Sequence, residues 1–461
     1  MLVRLTVENF LSFKERAELS MVPGKTQRQE SHVYKFKGKS AVNLLKGAVI
    51  YGANASGKSN LVKAVQFAKK LVTGGTRSNS PIPTAPFKLN SNTPKQATRI
   101  EFEVNHKGMH LAYGFEVTAS RVLEEWLYKV SSKSERKIFT RKWNSATQKF
   151  DTEFKNIKFK NNDEAQFLNF IAKATRENQL FLAEVLDRKV EGNVDGIDTI
   201  LAMLNWFDKV LVIITPTSIF HGLEGRIQDN ARTSDIYAKY LSYFDTGISG
   251  LSLVSTDIDQ IPDMPADIKD DLLEATKTEK KARAFIGGPD NQRYMFCKNG
   301  PGEDEWEMMR LVTQHKHSDS DAVSYFEINE ESDGTRRLMD LIPAVLDFGV
   351  EEKVFFVDEL DRSLHPIITR TIVDNFFNRS PNAKSQLIVT THESGILDQD
   401  ILRKDEVWFV KKAKDKSSML YSLEEFKPRF DTDIRKGYLN GRFGAIPFIH
   451  SQEGLQGLIE S

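Results

Sequence analysis

Four short groups of residues have the types and spacing to act on a phosphate ester. Gly52-Ala53-Asn54-Ala55-Ser56-Gly57-Lys58-Ser59 fits G-x-x-x-x-G-K-[ST], the pattern of a phosphate-binding loop. In such a loop glycines let the backbone curl so that its N–H groups face the phosphates, and the following helix adds its positive N-terminal end. Lys58 then reaches the β and γ phosphates, Ser59 supplies a hydroxyl to Mg²⁺, and Gly52, Asn54, Ser56, Gly57 and Asn60 complete the predicted nucleotide contacts.

Lys353-Val354-Phe355-Phe356-Val357-Asp358-Glu359 is an apolar strand ending in two carboxylates. A strand ending in Asp-Glu is mostly structural in isolation, but beside a phosphate loop it predicts a hydrolytic pair. Asp358 would hold Mg²⁺ through its water shell, and Glu359 would orient and polarise the attacking water. His392 follows another apolar strand, Gln386 to Thr391, at the carboxyl end where open α/β sheets bind ligands, and is placed to sense a γ-phosphate. The catalytic candidates are therefore Glu359, His392 and Lys58, and the metal ligands Ser59 and Asp358. His315 and His317 lack partners at metal-ligand spacing and read as exposed strand residues, so no transition-metal site is expected.

Ser332-Asp333-Gly334-Thr335 precedes a helical stretch whose Leu338, Leu341, Ile342, Val345 and Leu346 fall on one face. Free N–H groups at a helix start can bind phosphate. Capping by Ser332 or Thr335 explains the same residues more simply, and Pro343 suggests a kink.

These groups need strands that end at the site and a helix that begins there. Ala48 to Tyr51 reads as the strand entering the phosphate loop, and Asn60 to Leu71 as the amphipathic helix leaving it. Residues 73 to 95 read as an exposed connection rich in Gly, Ser, Asn and Pro. Arg99 to Val104, His110 to Val117, Arg121 to Val130 and Arg136 to Arg141 predict an antiparallel meander ending near 150. From 155 to 310 helical stretches at Glu164 to Thr175, Ile197 to Lys209, Ser234 to Tyr243 and Ala266 to Phe285 predict a mainly helical insertion or short arm, with strands resuming at Arg293 to Lys298 and Met308 to His315. The expected class is α/β: a mixed sheet with a phosphate-loop core and an antiparallel lobe, in parts 1–154 and 311–461, interrupted by 155–310.

Composition sets the surroundings. Lys plus Arg (64) equals Asp plus Glu (64), so no overall basic field draws in nucleic acid or an anionic membrane. A single cysteine, Cys297, excludes an intrachain disulfide framework and fits a reducing cytosol. The opening residues alternate like a half-buried strand rather than forming a signal-peptide block. No apolar run approaches the roughly 20 residues that cross a bilayer.

The order of phosphate loop, small-residue helix start, acid strand and histidine resembles the ABC-type ATPases of the SMC and double-strand-break-repair group. Asn9-Phe10 resembles the "NF" of SMC-like and RecF-like heads, and Leu360 to Pro366 resembles the stretch after the acids in the overcoming-lysogenisation-defect (OLD) ATPases. That resemblance implies ATP and Mg²⁺ as ligands and paired heads, a homodimer or higher homo-oligomer, in which Ser332 and Gly334 close over the nucleotide of the other copy. Asp361 matches the loop that bridges the two sites. Ser-Asp-Gly-Thr departs from the usual Ser-Gly-Gly of transporters, and the glutamine loop is open between Gln179 and Gln148.

Phe181-Leu182-Ala183-Glu184, Trp206-Phe207 and Gly441 to Pro447 resemble the short-armed ATPases of bacterial anti-phage systems, including the OLD-like and PARIS groups. Such proteins sense a phage-encoded trigger and control a separate nuclease effector, often of the TOPRIM type. The alternative is a repair or recombination ATPase that clamps DNA, with Lys155, Lys158 and Lys160 or Lys277, Lys280, Lys281 and Arg283 touching phosphates. With the total charge neutral, a solvated helix or loop face explains those clusters better.

Overall fold

Three short apolar runs, Gly47–Tyr51, Val354–Val357 and Gln386–Thr390, are buried along their whole length, as strands covered on both faces must be. The computed structural model describes residues 1–36, 42–131, 134–190, 196–218, 223–257, 261, 283–287, 292–298, 306–347, 351–378, 384–429 and 432–447. It divides into two units, the first Met1–Pro216, Phe348–Asp361 and Thr369–Ser461, the second Thr217–Asp347 and Arg362–Ile368.

In the first unit the three runs are neighbours in a six-stranded sheet. Its order is Leu211–Ile214, Val354–Val357, Gln386–Thr390, Gly47–Tyr51, Val407–Lys412, Ser418–Ser422. All neighbours are parallel except the last pair. Their carboxyl ends therefore lie along one edge, and the phosphate loop, the acids and His392 follow directly from three adjacent strands. The helix Lys58–Gly74 leaves the loop with Leu61, Val62, Val65, Ala68 and Leu71 buried.

Those side chains share one apolar cluster with the inner face of a seven-stranded antiparallel sheet. Thr98–His106 alternates strictly between buried and half-buried, as a one-sided strand should. Beyond the predicted meander the sheet gains an edge strand, Lys149–Phe154, and takes in Leu2–Glu8 and Ala17–Ser20. Its outer face carries cross-strand ion pairs: Arg4 with Glu18 and Glu103, Arg99 with Glu116, Lys142 with Glu124, and Lys137 with Glu153. Each contributes little to stability, but together they cancel charge across the lobe. Lys155 also pairs with Glu153, at 2.7 Å.

The connection at 73–95 is less exposed than its composition suggests. Asn9, at φ 47°, donates through Nδ2 to the carbonyls of Thr93 (2.8 Å), Gln96 and Ala97, and accepts from the Phe87 amide. Phe87 and Thr93 are consequently buried.

The unit boundary falls at Pro216, well past residue 154. Helices Asn162–Ala174, Phe181–Asp187 and Asp198–Asn205 stay with the first unit because Leu168, Ile171, Phe181, Leu182 and Met203 belong to its apolar cluster. Trp206–Val210 then widens into a π-turn that buries Trp206 and Phe207 against Phe102.

Among its described residues the second unit is not mainly helical. It holds Leu223–Asp229 and Ala231–Tyr243 and a five-stranded antiparallel sheet with Trp306–Lys316 at its centre. Ile248–Thr256 pairs along one edge of that strand, and Arg293–Lys298 and Val323–Glu327 along the other. This double pairing keeps residues 306–316 in the second unit, where the sequence placed the return to the first at 311. Most of the predicted Ala266 to Phe285 helix lies outside the described residues, and its end is a strand, Ala284–Gly287. The helix Asp333–Asp347 runs through Pro343.

Candidate functional site

Gly57 holds the phosphate loop in shape. Its φ of 114° disfavours any L side chain, and a Cβ there would sit 2.1 Å from Ser418 Oγ and 2.6 Å from Ser12 Oγ. Those two hydroxyls brace the loop from outside. Ser418 Oγ donates to the Ser56 carbonyl at 2.5 Å and lies 2.7 Å from Ser12 Oγ, which accepts from Asn60 Nδ2 at 2.8 Å.

Lys58 is buried, and its ammonium donates to the carbonyls of Gly52 (2.7 Å) and Ala53 (3.2 Å). Burial pushes its pKa down to about 8, against the opposing pull of Asp358, Asp361 and Glu359. Ser56 Oγ is buried and has no hydrogen-bond partner among the described residues. Asn54 and Ala55 are exposed at the tip, and Ser59 and Asn60 half-buried.

The acid turn is organised by two threonines. Asp358, itself buried, accepts from Thr390 Oγ1 at 2.6 Å, and the same hydroxyl accepts from the Glu359 amide at 2.8 Å. Glu359 adopts φ 49°, a left-handed conformation costing a non-glycine residue about 1–3 kcal/mol. Asp361 accepts from Thr391 Oγ1 at 2.7 Å and from the His392 amide at 3.2 Å. The imidazole of His392 is exposed, but partial desolvation and then the Lys58 charge lower its pKa, with the three carboxylates opposing. The net effect favours the neutral imidazole.

One edge of the first unit thus brings together Lys58, Asp358, Glu359, Asp361 and His392. The hydroxyl of Ser59 and the carboxylate of Asp358 are hard oxygen donors of the kind that hold Mg²⁺ alongside phosphate oxygens and water. With the glycine-lined loop and the orphan Ser56 hydroxyl, these residues fit a Mg²⁺–triphosphate.

Ser332 and Gly334 belong to the second unit, and each has a local task there. Ser332 is exposed, and its Oγ caps the helix by accepting from the Thr335 amide at 3.1 Å. Gly334 packs closely on the chain, since a Cβ would meet the Ser363 carbonyl at 2.7 Å.

Neither glutamine reaches the loop. Gln179 accepts from the Thr76 amide at the C-terminal end of the phosphate-loop helix, whose 17 residues span about 25 Å. Gln148 is exposed in the turn before Lys149–Phe154. The motifs at 181–184 and 206–207 are core packing, with Phe181 against Phe139 and Phe154. The segment 441–447 packs Phe443 on Phe409.

Ser12, Ser418, Thr390 and Thr391 escaped the sequence reading. The threonines were visible as polar residues closing an apolar strand. Ser12 and Ser418 meet across 406 positions and left no local signal. A cleft of about 610 Å³ lined by Asn9, Asn90, Gln96 and Arg99 is not at the phosphate loop. A smaller one of about 350 Å³ adjoins the loop through Ala55 and Asn60, with Leu11, Leu89, Lys412 and Lys416 in its walls.

Residues 48–398 match the family described as "AAA domain, putative AbiEii toxin, Type IV TA system". No curated protein sequence matches the chain. Among solved structures, an SMC head bound to the C-terminal winged-helix domain of ScpA shares 13% identity over 92% of this chain and 99% of that chain, with a TM-score of 0.39. The SMC head domain from Thermotoga maritima shares 12% identity over 91% and 98%, with a TM-score of 0.34. An SMC head with an extended coiled coil from Pyrococcus furiosus, bound to the C-terminal domain of ScpA, shares 13% over 93% and 99%, with a TM-score of 0.37.

Proposed function

The chain belongs to this AAA-domain family, and from that premise we propose that it binds and hydrolyses ATP with Mg²⁺ as the switch of a bacterial defence system. The supporting observation is the Thr390–Thr391 pair, which fixes two carboxylates and the His392 backbone next to a lysine whose pKa burial lowers to about 8.

On ATP binding, Lys58 exchanges the carbonyls of Gly52 and Ala53 for the β and γ phosphates, while loop amides and the Ser56 hydroxyl take the remaining oxygens. Ser59 and Asp358 would hold Mg²⁺, which would neutralise charge on the phosphates. Glu359 accepts a hydrogen bond from the attacking water and takes its proton as the γ-phosphorus–oxygen bond to ADP breaks. Neutral His392 donates to a γ-phosphate oxygen without adding a charge that would hold the product.

The sheet order supports one direction for the nucleotide. The acid and histidine strands lie on one side of Gly47–Tyr51, so the γ-phosphate points that way and the nucleoside leaves toward Val407–Lys412, where the smaller cleft opens.

Two copies act together, Ser332 and Gly334 of one completing the site of the other, with Asp361 at the junction. The family description names a toxin and a toxin–antitoxin system, which supports a partnered defence role. In this reading nucleotide state governs the hold on a separate nuclease effector, of TOPRIM type, and a phage-encoded trigger releases it. Balanced charge and the ion-paired outer lobe favour a protein partner over DNA.

Phosphate release tests the first part: Glu359→Gln should abolish it while retaining ATP. The second is tested by co-purifying the chain with its genomic neighbours with and without ATP. Wild-type turnover by Glu359→Gln, or no nucleotide-dependent partner, would refute the corresponding part.

A further inference from the structure

We propose that Glu331 positions the Ser332 turn, and that Thr313 and His315 act through it as parts of the hydrolytic machinery. The inference rests on the reading of Ser332 as the group that meets the nucleotide of a second copy.

Thr313 Oγ1 donates to Glu331 Oε1 at 2.5 Å, and His315 Nε2 reaches the same oxygen at 2.8 Å. A carboxylate only accepts, so the imidazole carries its proton on Nε2. Thr313 and His315 are two residues apart on Trp306–Lys316 and so project from the same face of the central strand. Thr313 is fully buried and the Glu331 side chain is 8% exposed. Phe326 closes the arrangement, its ring centroid 4.7 Å from that of His315.

A carboxylate so nearly buried is a costly way to fill space, since an apolar side chain of similar size would avoid its desolvation. What two converging donors provide is a fixed direction. The Glu331 amide also donates to the Ile328 carbonyl at 3.3 Å, so backbone and side chain are both held immediately before Ser332. Beyond Ser332 the helix is secured at a second point, where Arg293 bonds Asp340 at 2.5 Å from a position 3% exposed. Ser332 is therefore presented outward from between two anchored points.

Rigid presentation matters because the partner in this reading is a γ-phosphate. A displacement of about 1 Å can cost about a hundredfold in rate, and preorganised groups lose less freedom when they engage. His315, by sequence an exposed strand residue, would thus act on hydrolysis without touching the nucleotide.

The test uses the full chain. Glu331→Ala and His315→Ala should bind a fluorescent ATP analogue as wild type does, because the phosphate loop is untouched. In a Glu359→Gln background, both should weaken ATP-driven self-association about tenfold, measured by sedimentation, as expected for losing charge-assisted hydrogen bonds. In the parent sequence both should lower kcat with little change in KM. His315→Gln, which keeps an N–H donor, should recover most of the loss.

Glu331→Ala mixed with Lys58→Ala should regain hydrolysis, since one composite site then has an intact loop and an intact turn. Wild-type association and turnover in Glu331→Ala and His315→Ala would overturn the proposal, as would a mixture that stays inactive. If Glu331→Ala does not fold, the comparison of His315→Ala with His315→Gln decides, and equal defects in the two would overturn it. Ser332→Arg with wild-type turnover would instead refute the reading of Ser332 itself.

Discussion

The hydroxyl of Thr390 donates to Asp358 at 2.6 Å while accepting from the Glu359 amide at 2.8 Å, so one buried oxygen orients the proposed metal ligand and the backbone of the proposed base. Thr390→Val keeps the shape and removes both bonds. It should lower kcat by about a hundredfold through misplacement of the two acids, while ATP affinity without Mg²⁺ stays near wild type. Thr390→Ser should restore turnover. Steady-state phosphate release with nucleotide binding measured in EDTA checks this, and undiminished kcat in Thr390→Val would sink it.

Lys58 makes nucleotide binding pH-dependent. Its pKa in the free protein is pushed down to about 8, and a bound triphosphate favours the charged form. Above that pH, ATP binding should therefore take up a proton, and affinity should fall as pH rises. Calorimetry at pH ~8.5 in buffers of different ionisation enthalpy reads the uptake directly. Lys58→Arg, charged throughout, should show none. For folding the same shift has the opposite consequence: between about 8 and 10.5 the unfolded chain holds a proton that the folded chain has released, so this group makes stability rise with pH across that window.

The parts of the molecule legible in the sequence are those where chemistry depends on contiguous residues. The phosphate loop, the acid strand and His392 announced themselves because each is a strand end with its functional residue attached, and the parallel order of those strands makes them converge. The second unit was legible only in part. Arg293–Lys298 and most of Trp306–Lys316 read as strands, but Ile248–Thr256 pairs with the latter from far along the chain, and no local pattern encodes that partnership. Ser12 and Ser418 show the same limit at the scale of a single hydrogen bond. Ser332 and Gly334 differ again: capping and close packing already account for both residues within one copy, so neither sequence nor monomer geometry separates that from a role toward a second copy.

Arg141 and Glu125, buried and opposite one another on neighbouring strands, bind the segment 175–182 to the antiparallel lobe. Arg141 donates to the carbonyls of Thr175, Arg176 and Gln179, while Glu125 accepts from the amides of Phe181 and Leu182 and from Tyr113. Burial pushes Arg141 down to about 10 and raises Glu125. Arg141→Met should destabilise the first unit by about 3–5 kcal/mol, because it leaves three buried carbonyls without their donor and removes the positive charge facing a buried carboxylate. Chemical denaturation measures this. A loss below about 1 kcal/mol would show that water or rearrangement replaces the guanidinium.

Gly57 separates two causes of failure that a single alanine substitution would confuse. Gly57→Ala should abolish ATP binding both because φ 114° is strained for alanine and because its Cβ would collide with Ser418 Oγ at 2.1 Å. Adding Ser418→Gly removes that collision but leaves both the strain and the 2.6 Å approach to Ser12 Oγ, and it also removes the hydroxyl that donates to the Ser56 carbonyl. The double variant should therefore bind ATP no better than Gly57→Ala, and Ser418→Gly alone should bind more weakly than wild type. Recovery of affinity in the double variant would mean that crowding alone demands a glycine at 57 and that the loop tolerates a left-handed alanine. Titration of the three variants with a fluorescent ATP analogue distinguishes the outcomes, with thermal melts confirming that each is folded.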